Sequence, residues 1–373
     1  MKRKLGEICR IVSGSTPKTG IPEYWDGDLK WVTPAELNDE SRVVNDTKRT
    51  ITELGATKTG LTPLPAGTVL LSSRAPIGKV AITGCEMYCN QGFKNLICSN
   101  SINNKYLYWF LKGKTQYLNS LGRGATFKEI SKTIVADIEI NLPDIEEQKK
   151  IANRIEKIDS RLIMLRAEIS RLDELTKARF VEMFGGSKTY PIKPLSDIAE
   201  YWNGLTYKPT DVSNDGTIVL RSSNIQNMQL DLNDIVRVKC DISNKKMVKE
   251  NDILMCSRNG SAKLVGKVAL IPNLQEQMSF GAFMMIIRSE YYSYLMTYFQ
   301  LPEFRSQIST GTTTINQITR YMLDKVKLPV PDKASIDEFA AFVAQVDKSK
   351  FAVQKSLEKT QQLFDSLMQE YFG

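Results

Sequence analysis

Between residues 151 and 172 the apolar positions alternate in steps of four and three: Ile151, Ile155, Ile158, Leu162, Leu165, Ile169 and Leu172. The same steps recur through Phe339, Val343, Val346, Lys350, Val353, Leu357 and Thr360, then continue to Phe364, Leu367 and Tyr371. A sustained alternation of this kind is the a/d seam of a coiled coil. It predicts two long helices, over 144–184 and 332–373. Asp144 with Glu147, and Ser335 with Glu338, have capping-box spacing at the two starts. Lys350 and Thr360 weaken the second seam alone, so pairing of the two helices is the simplest arrangement. The alternative is that each helix packs only on its own globular part. Antiparallel pairing would hold the parts that precede each helix at opposite ends. A helix over 144–184 would be on the order of 60 Å long.

The segments 1–143 and 185–331 have a different texture. Short β-type runs ("GTVLLSS", "GKVAIT", "DIEINLP"; "NDILMCS", "GKVALIP", "AFMMIIRS") are each joined by one amphipathic helical stretch, "NKYLYWFLKGKTQYLNSL" or "YYSYLMTYFQLPEFRSQI". These segments are copies of one another. "LGEICRIVSGSTP" from Leu5 resembles "LSDIAEYWNGLTY" from Leu195, and "SSRAPIGKVAI" at 72–82 resembles "CSRNGSAKLVGKVAL" at 256–270. "GATFKEISKTIVADIEINLPD" faces "TTTINQITRYMLDKVKLPVPD", and "VEMFG" faces "MQEYFG". Two copies are too few for a solenoid. The fold expected is α+β: two tandem β-rich mixed domains, 1–143 and 185–331, separated by two long paired helices, 144–184 and 332–373, with an internal pseudo-twofold repeat.

Composition narrows the function. The chain has 373 residues, 42% of them apolar, enough for two domains with their own cores. It has no apolar run of about 18 residues, so no membrane span is expected. "MKRKLGEICR" lacks the apolar region of a secretory signal. The six cysteines show no framework spacing, and Cys85, Cys89 and Cys98 lack a fourth zinc ligand nearby. Reduced thiols in a cytoplasmic protein are expected. The chain has no histidine, which excludes Ser-His-Asp and Cys-His nucleophile systems and His-ligated metals. The net charge is +8, and the positive excess lies in 1–143 and 185–331. That is the footprint of a polyanion partner, nucleic acid first.

"SGSTP" after an opening "LGEI", "LPDIEEQKKIANRIEKID" at the first helix start and "ARFVEMFG" at its end resemble the specificity subunits of type I restriction–modification systems, over the whole chain. The Leu-Pro-x-x-x-Glu-Gln pattern (Leu142, Pro143, Glu147, Gln148) is its specific part; the second copy, "VPDKASIDEF", lacks the Glu-Gln pair. The resemblance implies two target recognition domains, each reading half of a bipartite site in double-stranded DNA. It implies conserved helical spacers that form an antiparallel coiled coil and dock two modification (methyltransferase) subunits, with restriction (motor/nuclease) subunits joining the assembly. It implies no catalysis and no cofactor in this chain; S-adenosylmethionine, ATP and Mg²⁺ belong to the partners.

The residues agree with that absence. The Gly-Lys pairs are followed by Val80 and Val268 where a phosphate-binding loop needs Ser or Thr. "MFGGS" closes a helix rather than cradling a cofactor. Asp137 with Glu147, Gln148 and Lys149 imitates a nuclease motif, but Glu147 and Lys149 fall in a helix's first turn.

DNA contact calls for cations and for side chains that read base edges. In the first domain the candidates are Thr16, Lys18, Ser73, Arg74, Lys79, Gln91, Lys94, Arg123, Thr126 and Lys128. In the second they are Lys208, Arg221, Asn224, Arg258, Asn259, Lys263, Lys267, Thr313 and Asn316. Ser-Arg ends a β run and enters a Gly-containing loop in both copies, a hairpin-like element. Two readings stand for Arg74 and Arg258: presentation in a groove, or a surface turn with solvated or internally paired cations. Trp31, Phe93, Trp109, Trp202 and Phe283 fit the core better than base stacking. The copies diverge most where reading would occur, "SRAPIG" against "SRNGSAKLVG".

Overall fold

The computed structural model describes residues 1–124, 128–185, 190–308 and 317–373. The chain divides into two compact units, Met1–Arg166 with Lys355–Gly373, and Ala167–Gln354. Each unit therefore takes one globular segment and part of both long helices, α1 (Ile145–Phe184) and α2 (Lys333–Phe372).

In the first unit the main sheet contains β1 (Cys9–Ser13), β2 (Val69–Leu71), β3 (Val80–Thr83) and β4 (Lys94–Cys98). Their order is β1-β4-β2-β3, all antiparallel, with Val43–Val44 added in parallel at the edge. In the second unit β5 (Glu200–Asn203), β6 (Ile253–Cys256), β7 (Val268–Leu270) and β8 (Met284–Arg288) repeat that order as β5-β8-β6-β7. A smaller mixed sheet accompanies each. Trp25–Val32 pairs in parallel with Tyr88–Cys89 in the first, and Thr217–Leu220 with Met278–Phe280 in the second. The duplicated sequence is thus a duplicated topology.

Each predicted amphipathic stretch forms two short helices, not one. The first breaks at Lys114, between Asn104–Gly113 and Thr115–Ser120. The second breaks before Pro302, which opens Pro302–Ile308; proline suits a first turn and ends the preceding one. Tyr106, Leu107, Tyr108, Trp109, Phe110 and Leu111 are all buried in the first pair, so its leading helix is covered on every side over this stretch.

The long helices pair within each unit. In the first unit Arg154 Nη1 donates to the Tyr371 hydroxyl at 2.9 Å, and Arg166 Nη2 to Gln361 Oε1 at 3.1 Å. In the second, Lys350 Nζ meets Asp173 at 2.6 Å and Arg179 Nη2 meets Glu338 at 2.7 Å. Numbers rise along one helix as they fall along the other, so the pairing is antiparallel. Ile151, Ile155, Leu162, Leu165, Phe339 and Val346 are buried; Ile158, Ile169, Leu172, Val343, Val353 and Leu357 are half-buried. The two polar seam positions are satisfied. Lys350 pairs with Asp173, and the Thr360 hydroxyl donates to Ser356 O at 2.7 Å.

The helices also pack on the globular parts. Ile151, Ala152, Ile155 and Phe372 join the first core; Phe180, Met183, Phe184, Ile336 and Phe339 join the second. Both arrangements open in the sequence therefore occur together. Asp144 caps α1 by accepting from Glu147 N at 2.8 Å, as its spacing predicts. The second cap differs from expectation. Asp332, not Ser335, accepts from Ser335 N at 2.9 Å, and Glu338 pairs with Arg179 instead. Asp332 is the repeat of Asp144, so the duplication was the better guide. The signature Gln148 is fully buried. Its Oε1 accepts from Asn103 N at 2.8 Å, and its Nε2 donates to Ser101 O and Pro143 O at 3.0 and 2.9 Å. The repeat puts Ile336 there, which fills the core without polar partners.

Phe339 is 0% exposed, with ring centroids 5.6 Å from Phe180 and 5.4 Å from Phe184, whereas Phe351 on the same helix is 72% exposed. Phe339→Ala should cost about 3–5 kcal/mol of stability in chemical denaturation, and Phe351→Ala less than about 0.5 kcal/mol. Equal costs would contradict the packing described.

Candidate nucleic-acid interface

The repeated Ser-Arg and Gly-Lys phrases are the two sides of a hairpin, β2–β3 in the first unit and β6–β7 in the second. Ser72 N donates to Lys79 O at 2.9 Å and Gly78 N to Ser72 O at 3.1 Å; Cys256 N donates to Lys267 O at 2.9 Å and Gly266 N to Cys256 O at 2.8 Å. Gly78 and Gly266 have φ of +91° and +79°, which glycine adopts without penalty. Gly-Lys recurs because the hairpin closes there.

Beyond each hairpin the Ser-Arg loop is stitched to two neighbours. Ser73 N donates to Gly92 O at 2.7 Å and Ser73 O accepts from Ile130 N at 2.9 Å. In the second unit Ser257 N donates to Phe283 O at 2.9 Å and Ser257 O accepts from Ile318 N at 2.7 Å. Arg74 then bridges to Glu129, and Arg258 to Gln317. The scaffold thus equates Gly92 with Phe283, Glu129 with Gln317 and, two residues after the first pair, Lys94 with Met285. Both arginines are exposed at the same place in the fold.

Their surroundings differ. In the first unit Arg74 Nε donates to Glu129 Oε2 at 2.9 Å, and Lys94 Nζ, 7% exposed, reaches Glu129 Oε1 at 3.0 Å. Burial raises the Glu129 pKa, but the hydrogen bonds from Lys94 and Arg74 outweigh it and hold the carboxyl below its ordinary value. Arg74 is thus paired internally, through its Nε. In the second unit Arg258 lies over the Phe283 ring, 5.4 Å from its centroid, and has no ion pair among the described residues. These two line a cleft of about 1210 Å³ with Tyr207, Arg221, Ser222 and Asn259. Arg221 pairs with Asp234 at 2.9 Å, and Asn259 Nδ2 donates to Ser222 Oγ at 3.1 Å.

Several candidates are turned inward. Ser73 and Asn224 are buried; Asn224 Nδ2 donates to Asp231 O and Asp234 O at 2.8 and 2.9 Å, so it holds a loop together. Lys79 Nζ donates to Pro34 O and Leu37 O at 3.2 and 2.5 Å, and Lys94 is the buried partner of Glu129. The side chains of these four have hydrogen-bond partners within the fold. Lys267 is half-buried. Lys18, Gln91, Arg123, Lys128, Lys208 and Lys263 are exposed; Gln91 accepts from the half-buried Thr16. Thr126, Thr313 and Asn316 lie outside the described residues. Trp31, Phe93, Trp109 and Trp202 are buried as expected, but Phe283 is 60% exposed. Hydrophobicity placed Phe283 in the core; the scaffold puts it where Gly92 stands, on the loop surface. Glu129 and Phe283 are the residues that sequence reasoning missed. Matching "QGF" to "FGAF" by their shared Gly and Phe does not find Phe283, because the scaffold sets Gly92, not Phe93, opposite it.

The sequence profile described as "Type I restriction modification DNA specificity domain" matches residues 1–174 and again 187–363. The chain belongs to that family. Among curated relatives, it is 37% identical over 185 residues to the type I restriction enzyme MjaIX specificity subunit of Methanocaldococcus jannaschii, covering 49% of this chain and 43% of that protein. It is 29% identical over 173 residues to the EcoKI specificity subunit of Escherichia coli K12, covering 43% of this chain and 37% of that one. Each match therefore spans less than half the relative's length. The crystal structure of a type I restriction–modification S subunit from M. genitalium shares the fold, with a TM-score of 0.60 at 15% identity over 100% of this chain and 96% of that one. A chain from a study of type I restriction–modification complex assembly gives 0.57 at 17% identity, over 100% and 97%.

Glu129→Gln should cost about 1–3 kcal/mol, less than a fully buried pair because the Glu129 side chain is 33% exposed. Lys94→Met with Glu129→Gln copies the second unit's Met285 and Gln317 and should recover most of the loss. The depressed Glu129 pKa sets the sign with pH. Its ion pairs contribute stability above the ordinary carboxylate range, and the contribution is lost as pH falls through the folded-state value. Denaturation midpoints of wild type and Glu129→Gln should therefore differ at about pH 7 and converge as the pH falls below about 4. A constant difference would remove Glu129 from the account.

Proposed function

We propose that this chain is the DNA sequence-specificity subunit of a type I restriction–modification complex. The observation that carries this reading is an arginine-bearing hairpin loop held at the same place in both units of a duplicated scaffold, in the two segments that hold the positive excess. Each unit reads one half of a bipartite site in double-stranded DNA. Contacts to phosphates fix position, and contacts to base edges give sequence. Because the loops differ and the scaffold does not, the two halves differ.

The long helices serve a second purpose, docking two modification (methyltransferase) subunits and, through them, restriction subunits. Exposed apolar residues lie on these helices outside the seam. They are Ile163, Met164 and Leu363 in the first unit, and Leu175, Val181 and Phe351 in the second. Such residues suit a protein partner better than water. In this reading the chain itself is non-catalytic and works in the cytoplasm, where its DNA lies. Among the described residues no helix is long and apolar enough to cross a membrane. Methyl transfer from S-adenosylmethionine, and ATP- and Mg²⁺-dependent translocation and cleavage, belong to the partners.

A base-resolution methylation map of host DNA with and without the gene tests this. A gapped bipartite motif should be methylated only when the gene is present. Replacing residues 185–331 with those of a relative should rewrite one half of the motif and leave the other. If no methylation depends on the gene, or if the replacement rewrites both halves, the reading fails.

A further inference from the structure

The two loops solve one positioning problem in two ways. An arginine that reads a base must hold its guanidinium still while keeping its outer fork free. Arg74 is held by its Nε alone, through Glu129 Oε2 at 2.9 Å. No hydrogen bond from its Nη1 or Nη2 occurs among the described residues, and the side chain is 47% exposed, which leaves that fork available to a ligand. Glu129 is itself held from behind by the buried Lys94, on its other oxygen. Arg258 has no carboxylate at the equivalent place, where Gln317 stands, and none is needed for a buried lysine because Met285 replaces it. The Arg258 guanidinium instead lies over the face of the exposed Phe283 ring. A ring face orients a cation without using any of its donors.

The substitutions are linked by space. A Cβ added at Gly92 would come within 2.9 Å of Pro34 Cγ, so an aromatic platform there would require Pro34 to shift. It carries the Lys94–Glu129 pair instead.

Building on the proposed DNA-recognition role, we infer that Arg74 and Arg258 are equivalent base-reading residues, each reading a guanine in its own half-site. Glu129 with Lys94, and Phe283, are the positioning residues that aim them. The assignment to guanine follows from the donors: a free Nη fork matches the O6 and N7 acceptors that guanine presents in the major groove. A phosphate contact would also accept this fork, and the test separates the two.

The full chain, assembled with the modification subunits of its host, is used to select sites from duplexes randomised in one half at a time. Arg74→Lys keeps the charge and loses the fork. It should reduce the preference for G·C at a single position of the first unit's half-site by about 5- to 150-fold, leaving the other half unchanged. Arg258→Lys should do the same in the other half. Arg74→Gln is the second variant, and it should shift that position toward A·T, because the Gln amide matches adenine. The unchanged half-site reports that each variant is folded. Lys94→Met with Glu129→Gln, and Phe283→Leu, should weaken the preference at the same single positions as the arginine variants. Uniform weakening across all sequences, with every base preference kept, would show phosphate contacts and overturn the assignment. So would loss of preference at a position that is not G·C. If the wild-type assembly selects no bipartite site, the recognition role itself fails, and this assignment falls with it.

Discussion

Both units depend on the apolar seam between the two long helices. Phe180, Phe184 and Phe339 meet in one unit, and Phe372 packs on Tyr106 and Phe110 in the other, with centroid separations between 5.1 and 6.0 Å. Each globular segment is therefore completed by the end of a helix that belongs to the other copy. Buried aromatic contacts of this size dominate the energetics of a core. Folding of either copy is bound to the presence of its twin. A tandem duplication whose halves merely followed one another would not require this.

Polar contacts fix how the apolar surfaces meet. Arg42 holds Asp159 of α1 with two hydrogen bonds of 2.8 and 2.6 Å and gives a third to the Tyr108 hydroxyl at 2.8 Å. Gln148 ties the first turn of α1 to three backbone groups, and Lys350 with Asp173 fills a seam position that an apolar side chain would fill less selectively. Such pairs add little net stability over apolar packing; one use of them is to penalise the wrong register. In the hairpin loops an exposed arginine meets a single carboxylate in one unit and a single ring in the other.

Much of the fold was legible in the sequence because it rests on periodicity and repetition. The seam, the two helix starts near Ile145 and Lys333, the duplicated β segments and the family resemblance all follow from residues in order along the chain. Arg74 and Arg258 were legible for the same reason, since the phrase that contains them occurs twice. The misreadings are local. Spacing points to Ser335 as the cap although Asp332 accepts the bond, and it gives no sign of the break before Pro302.

What the sequence could not decide was the direction in which a polar or aromatic side chain faces. Lys79, Lys94 and Asn224 read as DNA contacts because they are polar and lie near glycine. Tertiary structure turns them inward, where carbonyls or a carboxylate distant in sequence satisfy them. Phe283 reads as core because it is apolar, yet the fold sets it on the loop surface, at the position where Pro34 crowds Gly92 in the other unit. Repetition and apolar spacing are properties of the chain, so they determine the architecture by themselves. Partnership between Glu129 and Arg74, or between Phe283 and Arg258, depends on atoms brought together from distant strands. Only the folded chain decides it.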